Sequence, residues 1–233
     1  MRERDLLALD DYQLVPRVLH DVEEPDLSVA VLGRTLEWPL VARLPSGAPW
    51  SEALPRPAAP DLGRVAIAEA SEVTAERLSE CPRDAVVAVM PARSMGELVA
   101  EVRRLAELGV GAVGLDLAPL ADSAPYGKAP FRPRSREDLA ELRAAAGRPL
   151  WVFGVGGGAD AEVAAEAGAD VVVVSSALGA RLRSPATIET LPEVVDAVAG
   201  MLTIAAGGAV RDGIDAFRYL AVGAELVVVD GDR

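Results

Sequence analysis

Pro149-Leu150-Trp151-Val152-Phe153 opens the stretch that decides the fold, and three further apolar runs follow: Asp170 to Ser175, Met201 to Ala205, and Glu225 to Val229. Between them lie Asp160 to Ala167, Ile188 to Ala199 and Gly213 to Val222, each of helical length. Runs that are apolar on both faces, each followed by a helix, predict a parallel sheet covered on its outer side. In βα folds the ligand sits at the carboxyl ends of the strands, so function is to be sought there.

The same alternation extends upstream. Pro39 to Leu44, Val65 to Ala70, Ala85 to Met90 and Gly111 to Leu117 read as strands. Ser94 opens a helix to Leu108 with Glu97 completing a capping box, and Ser135 caps a helix over Arg136 to Ala146. Ser71 predicts a helix from Glu72 to Ser79. Eight strands make an α/β fold of the (β/α)₈ TIM-barrel type. The spacing predicts one domain over 1–233, with an N-terminal helix and plugging hairpin in 1–37 and the barrel in 38–233. The barrel is reduced. Pro45, Pro49, Pro55, Pro57 and Pro60 replace the first outer helix, and the sequence stops four residues after the eighth strand. The first and eighth strands are neighbours in a closed ring, so one flank lacks its helices. A homo- or hetero-oligomer covering that flank is expected, with residues 1–14 as the alternative cover.

Composition narrows the partners. A net charge of −13 argues against nucleic acid, which demands a basic face. No run approaches a membrane span and the charged start is no signal peptide, so a cytoplasmic protein is expected. One cysteine, Cys81, and one histidine, His20, exclude a disulfide and a cysteine- or histidine-rich metal site. A small-molecule ligand is the expected partner.

Ala161 to Ser175, the run Pro185-Ala186-Thr187-Ile188-Glu189 and the words Val210-Arg211-Asp212-Gly213 and Leu220-Ala221-Val222-Gly223-Ala224 carry a resemblance. With Pro16-Arg17-Val18-Leu19, Asp26-Leu27-Ser28 and Leu32-Gly33, they are similar to the FMN-dependent α-hydroxy-acid dehydrogenases and oxidases, here in a shortened form. That resemblance implies FMN as cofactor and oxidation of a 2-hydroxy acid. It also implies a lysine at the end of the fifth strand, then a histidine base and an arginine clamp after the sixth. Phe153, Ala177 and Ala180 stand at those positions, and Arg181 lies one place beyond the clamp. The family's Ala-Pro after the first strand reads Ala42-Arg43, and Val87 to Met90 offer no polar group in the third. Hydroxy-acid oxidation needs a base and a charged anchor. Two readings follow: an enzyme of altered chemistry on a small organic or phosphorylated substrate, or a non-catalytic subunit of an active partner.

The candidate catalytic residues are Asp116 and Glu69, at the ends of the fourth and second strands, and Arg181. Asp116 suits an acid, a base or a polar anchor in apolar walls, and equally an aspartate bonded to loop amides. Glu69 could face it as the second carboxylate of a proton-transfer pair. For a phosphate or FMN the candidates are Gly207, Gly208 and Arg211 after the seventh strand, Gly231 after the eighth, and Ser175. Asp230 and Asp232 place negative charge at that same corner, and the Gly-Gly turns read equally as tight turns alone. Lys128 lies on a loop, a poor place to desolvate an amine, and His20 lies outside the strands.

Overall fold

The computed structural model describes residues 2–16, 25–50, 64–118, 133–177 and 184–230. Helix α1 (Arg2–Asp11) leads into a two-stranded hairpin, β1 (Val29–Val31) and β2 (Arg34–Leu36). Leu32 and Gly33 turn the hairpin with φ of 53° and 70°, the left-handed pair that a two-residue turn requires. Eight parallel strands then close a barrel. They are β3 (Leu40–Arg43), β4 (Ala66–Glu69), β5 (Val86–Pro91), β6 (Ala112–Asp116), β7 (Leu150–Val155), β8 (Val171–Val174), β9 (Thr203–Gly207) and β10 (Leu226–Asp230). The ring order is β10-β3-β4-β5-β6-β7-β8-β9. The outer helices are α2 (Met95–Leu108), α3 (Arg136–Ala146), α4 (Gly158–Glu166), α5 (Thr187–Val198) and α6 (Gly213–Val222).

The caps fall where the side-chain chemistry places them. The Ser94 amide and hydroxyl both donate to Glu97, at 3.2 and 2.5 Å. Ser135 and Asp138 cap α3 reciprocally, each amide donating to the other's side chain at 3.2 Å. Each cap satisfies otherwise orphaned helix-start amides and stabilises by about 1 kcal/mol.

Two apolar layers result. Outward residues of the strands pack beneath the helices. Inward residues, among them Val41, Ile67, Val89, Phe153, Val173 and Val228, fill the barrel interior. Val31 and Leu36 of the hairpin join that inner cluster with Trp151. The earlier part of the predicted hairpin, residues 17–24, lies outside the described residues.

Two expectations need correction. In place of a helix over Glu72–Ser79 capped by Ser71, the chain makes single 3₁₀ turns at Ala70–Glu72 and Arg77–Ser79. Buried Val73 breaks the run with an extended backbone, at φ −84° and ψ 100°. Arg77 is drawn away to the Ala48 carbonyl, at 2.7 Å, and over the buried Trp50 ring, 4.9 Å from its centre. Strand β7 also runs past Phe153 to Val155 through a register shift against β8. Gly154 makes that bulge possible. Its φ is +84°, and a Cβ there would lie 3.1 Å from the Ala118 amide nitrogen.

Among the described residues no helix follows β3 or β10, which pair directly. Helix α1 packs on α5 rather than continuing the ring. On α6, Ile214 and Phe217 are 56% and 49% exposed.

Candidate active site

Alternation along each strand decides what reaches the carboxyl mouth of the barrel. Two residues beyond the inward Val41, Ile67, Val173 and Val228 come Arg43, Glu69, Ser175 and Asp230. On β6, Asp116 pairs with Phe153. Three carboxylates thus share the top layer with one guanidinium.

Arg43, Asp116, Phe153, Ser175, Gly207 and Asp230 all line one cavity of about 210 Å³. Arg43 is its single cation among the described residues. The guanidinium carbon sits 5.6 Å from the centre of the Phe153 ring, and Phe153 stacks on Trp151 at 6.1 Å. Arg43 also meets Glu69, but loosely, at 3.8 Å. Of the mouth's polar residues, the sequence had shown Arg43 only as a departure from a pattern. Its position at a strand end was the available signal.

Asp116 is bonded to a loop amide and also lines the cavity. Its Oδ1 accepts from the Ala118 amide at 2.9 Å, which fixes the carboxylate at the turn. Glu69 lies close enough for the Asp116 charge to act on it, yet it lines an adjoining cleft with Arg93 and Glu97 rather than the mouth itself. Burial lifts the Glu69 carboxyl above the usual carboxylate range. Arg43 opposes the lift, and the Asp116 and Glu72 charges add to it. Ser175 Oγ accepts from the Ala177 amide at 3.2 Å, so this serine shapes its own loop. Arg181, Gly231, Lys128, His20, Ala180 and Asp232 lie outside the described residues.

At the corner between β9 and α6, Gly207 and Gly208 form a tight turn. A Cβ at Gly207 would stand 2.8 Å from Val228 Cβ, and Gly208 has φ +118°. Arg211 turns away from the mouth. Its Nε donates to Asp215 at 2.7 Å and its Nη2 to Asp10 at 2.5 Å. Asp212 caps α6, accepting from the Ile214 and Asp215 amides at 2.9 and 3.1 Å. An aspartate directly before Gly213 was a readable N-cap signal. Behind the turn lies Asp5 of α1, 3% exposed, which accepts from the Thr187 amide at 3.0 Å and the Ser176 hydroxyl at 2.8 Å.

A sequence profile described as FMN-dependent dehydrogenase matches residues 2–117 and 118–231. The chain belongs to that family. Within it, 91 residues are 43% identical to an L-lactate oxidase of Lactobacillus jensenii, covering 39% of this chain and 22% of the oxidase. A peroxisomal (S)-2-hydroxyacid oxidase of Arabidopsis thaliana is 42% identical over 96 residues, 41% of this chain and 26% of that protein. The aligned stretch therefore spans about a quarter of these relatives. A crystal structure of mandelate oxidase matches 98% of this chain and 75% of its own, with a TM-score of 0.77 and 24% identity. A lactate oxidase of Pediococcus acidilactici matches equally well at 20% identity. These likenesses establish the barrel fold.

The family is FMN-dependent, so the corner residues must be tested against the phosphate of FMN. They do not fit it. Two helix-start amides of α6, those of Ile214 and Asp215, are already taken by Asp212, and Arg211 is held by two carboxylates.

Proposed function

We propose that this chain is an enzyme of altered chemistry within its family, moving a proton on a small organic substrate at the barrel mouth. The observation that supports this most directly is the shared cavity of Arg43 and Asp116, walled by Phe153. Arg43 would anchor a carbonyl or carboxylate oxygen, since a guanidinium presents fixed donors suited to such groups. The Asp116 carboxylate would take the proton from the adjacent carbon. The electron pair then moves onto the carbonyl oxygen, where Arg43 stabilises the charge, and return of the proton gives isomerisation or exchange. No electron acceptor is consumed. Glu69 would act through Arg43, setting how much of its charge the substrate meets. Phe153 and Ala177, where the resemblance expects lysine and histidine, support a reaction other than hydroxy-acid oxidation.

The test is to incubate the protein with small 2-oxo and 2-hydroxy acids in heavy water and follow by NMR the protons on the carbon beside the ketone of the former and beside the carboxylate of the latter. Exchange above the buffer rate is expected, falling at least about 100-fold in Asp116→Asn, the usual scale for an acid–base group. Exchange at the buffer rate, or equal rates in the variant, would reject the proposal.

The exposed Ile214 and Phe217 favour a second reading, a subunit docking its helix-poor flank on another chain. That reading expects a mass above one chain by light scattering, alone or with the partner. A single-chain mass that persists when candidate partners are added rejects it.

A further inference from the structure

We infer that the corner where this barrel would take a phosphate is closed to phosphate monoesters, that of FMN included, and serves as a clasp fastening α1 to the barrel. Phosphate sites at helix starts depend on free amides, a positive helix end and a cation turned towards the ligand. Here three of the amides and the cation are spent internally. The Ile214 and Asp215 amides donate to Asp212, and the Arg211 amide donates to Asp215 at 3.0 Å. The Arg211 guanidinium is divided between Asp215, which is 1% exposed, and Asp10 of α1. Arg218 meets the same two carboxylates, at 2.9 and 3.4 Å.

Asp10 is half-exposed, so a competing anion could displace it. Displacing it would not free the guanidinium, because buried Asp215 holds its other edge. An entering dianion would also meet Asp212 at the helix end, Asp230 across the mouth, and Asp5 behind Gly208. Carboxylates thus stand at the helix end, across the mouth and behind the turn, while Arg43, the cavity's single cation among the described residues, lies against the Phe153 ring.

The same contacts make the clasp. Asp10 joins α1 to Arg211 and Arg218, while Asp5 joins it to the start of α5 through the Thr187 amide and to the Ser176 hydroxyl. Two carboxylates of one helix thus reach two helix starts and a mouth loop. A phosphate group in that corner and the clasp use the same Arg211.

Two measurements on the full chain test this. The first titrates the protein with FMN and separately with riboflavin, followed by flavin fluorescence. FMN binding no tighter than riboflavin, including no binding of either, is the expected result. FMN at least about tenfold tighter than riboflavin overturns the closure, since that gain could come only from the phosphate. The second compares melting and limited proteolysis of Arg211→Met and Asp10→Asn with the unaltered chain. Lower melting temperatures and faster cleavage within α1 are expected. Asp10→Asn is mild enough to report if Arg211→Met does not fold. Unchanged melting and cleavage in the variants that fold overturn the clasp.

Discussion

Replacing Phe153 by lysine asks whether this strand end is still a slot for the residue that the family resemblance expects there. Phe153 is 2% exposed, stacks on Trp151 and lies beneath the Arg43 guanidinium. Its ring occupies the space that Gly114 leaves open, where a Cβ would come within 2.7 Å of Phe153 Cε2. Phe153→Lys gives up about 1.5–3 kcal/mol of apolar burial. It also loses roughly 0.5–1.5 kcal/mol of aromatic pairing and about 0.5–1 kcal/mol of cation–π attraction. The lysine stem returns part of the burial, but its ammonium would sit beside Arg43 in apolar walls and would be driven towards the neutral amine. The net expectation is a loss of about 3–5 kcal/mol, a drop in Tm of roughly 6–20 °C for a chain of this length. Urea and thermal unfolding would measure it, with Phe153→Leu as an apolar control that forfeits mainly the ring contacts, about 1–2.5 kcal/mol. A lysine variant within about 1 kcal/mol of the parent would refute the repacking and restore the view of a latent catalytic slot.

Three further outcomes follow from the same geometry. Asp215→Asn should cost about 2–4 kcal/mol in urea unfolding, because it leaves Arg211 and Arg218 short of their buried partner. Arg211 holds the Asp215 carboxyl below its ordinary range, so the parent's stability from this group is full above the unfolded-state value. It is lost as pH falls through the lower folded value, and the asparagine variant should lack that acid limb. Glu69 works in the opposite sense. Its raised value means that its contribution is present below the unfolded value and lost as pH rises through the folded one. Glu69→Gln should therefore gain on the parent as pH rises through that window, and Tm curves that stay parallel would count against it. Gly207→Ala, pressing on Val228, should cost about 1–3 kcal/mol by overpacking, with unaltered stability as the refuting result.

The barrel was readable because its strands are apolar on both faces and its helices carry local start and stop signals. Ser94 with Glu97 and Ser135 with Asp138 need only their neighbours to act. The segment after β4 was not readable in the same way. There Arg77 is held by Ala48 and Trp50, about thirty residues back, and a distant contact overrode local propensity. The site divides similarly. Asp116 and Ser175 announced themselves by standing at strand ends, and the structure puts both at the mouth. Arg211 looked like a phosphate ligand because a basic residue beside glycines usually is one. One of its two actual partners, Asp10, is 201 residues away, and no periodicity or spacing reports that pairing.

That separation has a consequence for how the protein is made. Helix α1 leaves the ribosome long before the groups that fasten it, from Thr187 to Arg218, have been made. At about 5–20 residues per second, roughly ten to forty seconds pass before Asp5 and Asp10 can meet them. During that interval the buried face of α1, with Ala8 and Leu9, has no barrel to cover it. Closure of the ring and docking of its first helix are then one late event, and a nascent chain stalled before residue 187 should expose α1 to proteases or chaperones.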